Sequence, residues 1–168
     1  MIALAGYQFA LFRRGRLWLV PALAGLAFLL SFYLLVARDH PGSYLNGGFG
    51  MFGWAVLLSA VLALDLDPAL WQVAVVAAGS AQRAQLSRAA LAAAGCVLPA
   101  LLTALVTAAG HLGGRNPAAA VLAGWLWYLL LSGLGCLLGA WVGGRLTGRA
   151  SWLVTVVLVA LSWELALR

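Results

Sequence analysis

The sequence predicts an all-α integral membrane protein. It has about five transmembrane helices, an interfacial helix before them, and one short apolar helix between the second and third spans. Three observations lead there. Of the 168 residues, 65% are hydrophobic and 8% are charged, and the mean hydropathy is +1.03. A soluble domain carries about 25% charged residues, so this chain lacks the polar surface to coat a globule in water. Its apolar runs are continuous, whereas a membrane β-barrel alternates polar and apolar residues. Several runs approach or exceed the length of about 20 residues that crosses a hydrocarbon core about 30 Å thick. The chain reads as a single transmembrane domain, 1–168, without a linker or an internal repeat.

At the amino end, the apolar run MIALAGYQFALF precedes the basic cluster Arg13, Arg14 and Arg16. A cleavable signal peptide has the opposite order. Residues 1–16 are therefore expected to form an interfacial helix ahead of a retained first span. The spans are predicted at 17–37, 46–64, 89–110, 118–142 and 150–167, with the second and fifth near the lower limit of about 17 residues. The connecting stretches DHPGSYLNGG and HLGGRNP are too short for a folded external domain.

Arginine placement orients these spans. With the amino terminus inside, Arg13, Arg14, Arg16, Arg83, Arg88, Arg145 and Arg149 face the cytoplasm, and Arg38, Arg115 and Arg168 face outward. The excess on one side follows the positive-inside rule. Trp18, Trp141 and Trp152 then fall near the inner boundary, and Trp54, Trp125, Trp127 and Trp163 in the outer half, levels that amphipathic rings prefer. The carboxyl terminus lies outside.

The segment 65–88, DLDPALWQVAVVAAGSAQRAQLSR, does not fit a span. Pro68 to Ala78 amounts to roughly 16 Å of helix at about 1.5 Å per residue. Asp67 is a suitable N-cap and Pro68 a suitable first helical residue. Gly79 stops the helix, and Ser80 caps the next, which runs from about Ala81 into the third span. Its first turns carry Gln82, Arg83, Gln85 and Arg88, so this helix should project out of the membrane before entering it. A helix bearing Leu70, Trp71, Val73, Val75 and Val76 is too apolar to stand in water. It either rests in the headgroup layer or anchors in a groove of a partner, and the physics of the sequence leaves both open.

This arrangement resembles the membrane subunit of an ABC-2-type (type V exporter-like) ABC transporter. FALFRRGRLW is similar to that family's interfacial helix and start of span one. Asp65 and Asp67 match its acidic position after span two, PALWQVAVVAA its coupling helix, and GSAQRAQLSR the turn and basic start of span three. The likeness covers roughly residues 1–110. It implies a permease in a bacterial inner (plasma) membrane whose Asp65, Asp67, Leu70, Trp71, Val75 and Arg83 dock a cytoplasmic ABC ATPase. ATP and Mg would be bound by that partner, and a second permease chain, identical or different, would complete the pathway. The family has six spans with both termini inside; here five are visible.

Other residues exclude functions. All ten basic residues are Arg, so neither a P-loop lysine nor a pyridoxal Schiff base is available. The arginines sit at scattered helix ends and form no nucleic-acid-binding stripe. Cys96 and Cys136 read as small buried hydrophobes, and two cysteines give no metal-ligand spacing. His40 and His111 lack a third ligand. Ser132 in LLSGLG lacks the G-x-S-G pattern of an intramembrane serine protease. Asp65 and Asp67 are too few for a metal-dependent phospholipid transferase. Of the four carboxylates, Asp39, Asp65 and Asp67 lie at membrane ends, and Glu164 stands four residues before Arg168 as a surface pair. No catalytic residue, cofactor site or metal site is expected in this chain, and energy must arrive through a partner.

Within the bundle, Pro99, Thr103, Thr107 and His111 share one face of span three. Thr103 and Thr107 either line a substrate path or, more plainly, bond their own backbone carbonyls. Gly135, Gly139 and Gly143 form a smooth ridge suited to intrachain packing or a dimer seam, and Gly47, Gly50 and Gly53 carry the same ambiguity. The leading expectation is an ABC exporter permease for an apolar or amphipathic cargo such as a lipid, peptide or drug. The alternative is a non-transporting scaffold or accessory subunit of a multi-chain membrane complex, held through its glycine ridges.

Overall fold

The computed structural model describes residues 6, 10, 18–34, 44–64, 68–109, 116–145 and 149–168. Among these residues there are helices and no strand. The helices are α1 (Leu19–Phe32), α2 (Tyr44–Leu64), α3 (Pro68–Ala78), α4 (Ala81–Ala109), α5 (Pro117–Arg145) and α6 (Arg149–Leu167). The protein is an all-α membrane protein. Tyr44–Leu62, Ala81–Ala108, Ala118–Gly143 and Ala150–Leu167 are each long and apolar enough to cross a bilayer. The first expected span appears as the shorter α1, 14 residues or about 21 Å, which runs on as a π turn through Tyr33 and Leu34. Expected span residues 17 and 35–37, the interfacial segment apart from Gly6 and Ala10, the Asp65 and Asp67 positions, and His40 and His111 all lie outside the described residues.

α2 is the axis of the bundle. Of its spanning window 78% is buried, against 28–33% for the windows of α4, α5 and α6, and α5, α6, α4 and α1 all pack on it. Glycine makes this possible by letting neighbouring groups come close to its backbone. Tyr128 of α5 packs on Gly47, Phe28 of α1 on Gly50, and Ser162 and Trp163 of α6 on Gly53. The approach is reciprocal. A Cβ at Gly135 of α5 would lie 2.5 Å from the Phe52 carbonyl oxygen, and one at Gly139 would lie 2.7 Å from that of Val56. Gly143 is half-buried near the end of α5. The glycines read as an ambiguous ridge are thus, at Gly47, Gly50, Gly53, Gly135 and Gly139, used inside the chain.

These pairings place α2 and α5 parallel, with α1, α4 and α6 antiparallel to them. The starts of α1, α4 and α6 and the ends of α2 and α5 therefore share one end of the bundle with α3. Trp18, Trp141 and Trp152 cluster at that end, 38–59% exposed, as an interfacial belt requires. Trp54 departs from expectation. It is buried, 7% exposed, and its Nε1–H donates to the Pro21 carbonyl at 2.7 Å. Its indole thus reaches toward the start of α1. An indole N–H in an apolar core needs an acceptor, and the first turn of α1 supplies one.

Two apolar clusters hold the bundle. One joins Met51, Trp54 and Leu58 of α2 to Ala92, Cys96, Ala100 and Ala104 of α4 and to Tyr128 and Cys136 of α5. The other joins Phe28 and Phe32 of α1 to Ala166, with Trp163 and Leu167 packed against it. The alanine stripe of α4, at i, i+4 spacing, lets α4 approach α2 and α5 closely, as small residues do in membrane bundles.

Candidate functional site

The junction between α3 and α4 forms as its residues dictate. Gly79 has φ +75°, a left-handed value that L-residues with a Cβ resist. Its N–H donates to the Val76 carbonyl at 3.2 Å, closing α3. The Ser80 hydroxyl accepts from the Arg83 N–H at 3.2 Å, and the Ser80 carbonyl accepts from the Ala84 N–H at 3.1 Å. This is an N-cap three residues ahead of its donor. The two helices share one turn with no slack between them.

Ala74 is buried and α3 packs on α4. Val73 is 54% exposed and Val76 81% exposed, while Val75 is half-buried. Leu70 and Trp71 lie on the α3 backbone, one turn ahead of the valines. Arg83 and Gln82 are exposed at the start of α4. Arg88, a turn further on, is buried. It lies on the stripe Ala84, Ser87, Arg88, Ala92, all buried, which the i, i+3, i+4 geometry turns toward the bundle. α4 is 29 residues long, about 43 Å, so it exceeds a core of about 30 Å by roughly 13 Å.

Inside the bundle, Thr103 Oγ1 donates to the Pro99 carbonyl at 2.8 Å and lies 3.4 Å from Met51 Sδ. Thr107 Oγ1 lies 2.8 Å from the Thr103 carbonyl and 2.9 Å from the Tyr128 hydroxyl. Thr103, Thr107 and Tyr128 are all at most 1% exposed. Both threonines bond their own backbone; Thr107 also ties α4 to α5 through Tyr128, and Thr103 meets Met51 of α2. Tyr128 carried no sequence signal, since its role depends on an inter-helix contact.

Thr103 also borders a cleft of about 370 Å³ between α1, α2 and α4, walled by Gly25, Met51, Trp54, Leu98 and Pro99 among others. Pro99 lacks an N–H, so the Gly95 carbonyl loses its usual helical donor, and Gly95 lies on this cleft. A second hollow of about 460 Å³ lies at the other end of the bundle beside Tyr44, Gly124 and Trp127.

Glu164 and Arg168 form an exposed i, i+4 ion pair, a surface contact of little energetic weight. Among the described residues no group of three or more His, Cys, Asp or Glu could hold a metal ion. Cys96 and Cys136 are both free and buried. The structure brings their Sγ atoms to 3.9 Å across the α4–α5 contact, a proximity that sequence separation conceals. Comparison with protein-family models, curated proteins and solved structures finds no match to this chain.

Proposed function

We propose that this chain is the permease subunit of an ATP-driven exporter of the ABC type, docked through α3 to a cytoplasmic ATPase. The observation that carries this reading is the α3–α4 joint: a short helix with a bare valine face, connected without slack to a helix that outreaches the bilayer. Force applied to α3 passes directly into α4. In this reading the amino terminus and α3 are cytoplasmic, in a bacterial inner membrane, and the carboxyl terminus is outside. ATP and Mg are bound by the partner, and a second permease chain completes the pathway. The near-absence of charge in the bundle favours an apolar or amphipathic cargo. A scaffold held through glycine ridges is less well supported, because Gly135 and Gly139 already face the α2 backbone.

The test is co-purification from membranes with an ATPase containing G-x-x-x-x-G-K-[ST], together with its stimulated ATP hydrolysis. Burying a valine contributes about 2 kcal/mol, so Val76→Asp should weaken ATPase association on the order of 30-fold or more. Trp71→Asp should uncouple the ATPase while membrane insertion persists. Recovery of the wild-type chain with membrane partners alone, or unchanged association in both variants, would overturn the reading and return α3 to the lipid headgroup layer.

A further inference from the structure

Cys96 and Cys136 are the only cysteines in the chain. Each is at most 1% exposed, and they face each other from α4 and α5. Their Sγ atoms are 3.9 Å apart, against about 2.05 Å in a disulfide, so roughly 1.9 Å of approach is required. The surroundings favour that approach. Ala92 and Ala100, both small, flank Cys96 at i±4 on α4. The Cys136 thiol directs its hydrogen at the Ala55 carbonyl, 3.9 Å away. Ser132, one turn before Cys136, is 1% exposed and its hydroxyl has no hydrogen-bond partner among the described residues. A buried hydroxyl left in this way is costly in an apolar bundle.

We infer that Cys96 and Cys136 form an oxidisable thiol pair whose disulfide staples α4 to α5. The oxidant class is a small neutral peroxide. Hydrogen peroxide converts the Cys96 thiol to a sulfenic acid and leaves as one water. Cys136 Sγ then attacks the Cys96 sulfur, the S–O bond breaks, and the hydroxyl leaves with the Cys136 proton as a second water. Two electrons pass from the two sulfurs to the two peroxide oxygens. Since α4 is joined to α3 without slack, the staple also fixes the helix that carries the α3 joint. The inference stands on packing alone and does not require the exporter reading.

The chain's own arginines supply the assay. Trypsin cleaves after Arg88, Arg115 and Arg145, placing Cys96 in the peptide 89–115 and Cys136 in 116–145. The full chain in lipid vesicles is treated with hydrogen peroxide, denatured, alkylated at its remaining thiols, digested without reductant and examined by mass spectrometry. The expected product is the two peptides joined with loss of two hydrogens, released by dithiothreitol, and absent in Cys96→Ser and Cys136→Ser. The oxidised protein should also unfold at a higher temperature, and reductant should reverse the shift. Two separately alkylated peptides after oxidation would overturn the inference. So would two separately oxidised peptides without a link.

Discussion

Replacing Gly135 by alanine tests whether the α2–α5 contact is as close as the structure has it. The added Cβ would lie 2.5 Å from the Phe52 carbonyl oxygen and 3.0 Å from Ala55 Cβ, where unstrained carbon contacts fall at about 3.5–4.0 Å. The first contact is backbone, so no side chain can swing aside, and the helices must part by on the order of 1 Å. Overpacking of this kind costs about 1–3 kcal/mol. The same separation stretches the bond from the Ser59 hydroxyl to the Cys136 carbonyl, now 2.9 Å, which contributes about 1 kcal/mol. The helix-propensity gain of alanine does little to offset this, because a membrane helix is already formed before its neighbours pack. A destabilisation of about 2–3 kcal/mol is expected in reversible unfolding by sodium dodecyl sulfate in mixed micelles. Gly139→Ala should behave alike, since its Cβ would meet the Val56 carbonyl oxygen at 2.7 Å. The double variant should lose less than the sum, because one displacement of α5 accommodates both. Gly133 is the internal control: nothing lies within 4 Å of its added Cβ, so Gly133→Ala should stay within about 0.5 kcal/mol of the parent. If Gly135→Ala and Gly139→Ala matched Gly133→Ala, the close approach would be wrong.

Two further predictions concern polar groups and the joint. Thr107→Val should destabilise more than Tyr128→Phe in the same unfolding assay, by about 1 kcal/mol or more. Removing Thr107 strands the buried Tyr128 hydroxyl, whereas removing that hydroxyl leaves Thr107 its bond to the Thr103 carbonyl. Equal losses would show that Tyr128 has another partner. Gly79→Ala forces a Cβ into φ +75° at a cost of about 1–2 kcal/mol. Amide exchange should rise across α3 and the first turn of α4, with the bundle unchanged, and Gly79→Asn should restore part of the protection. Uniform exchange across all helices would contradict a local joint.

How much of this was written in the chain order can be judged residue by residue. Continuous apolar runs made the helical membrane class legible, because hydrocarbon admits no unsatisfied backbone and leaves only helices or closed barrels. Pro68, Gly79 and Ser80 marked the ends of α3 and the start of α4, since caps and left-handed turns depend on local chemistry. The Glu164–Arg168 pair followed from i, i+4 spacing in the same way. The partner of Trp54, the burial of Arg88, the role of Tyr128 and the meeting of Cys96 with Cys136 were not legible. Each depends on which face of one helix meets which face of another, and helices that are apolar all round carry no stripe to announce it.

The sequence by itself therefore determined the solvent of this protein, the positions of its helices and the short helix that cannot span. Those properties depend on hydropathy, length and capping, all of them local. Only the tertiary structure decided that Gly135 and Gly139 face the α2 backbone, that Thr107 of α4 meets Tyr128 of α5, and that two distant thiols are neighbours. Packing between uniformly apolar helices is settled by close steric fit, and fit is a property of surfaces brought together.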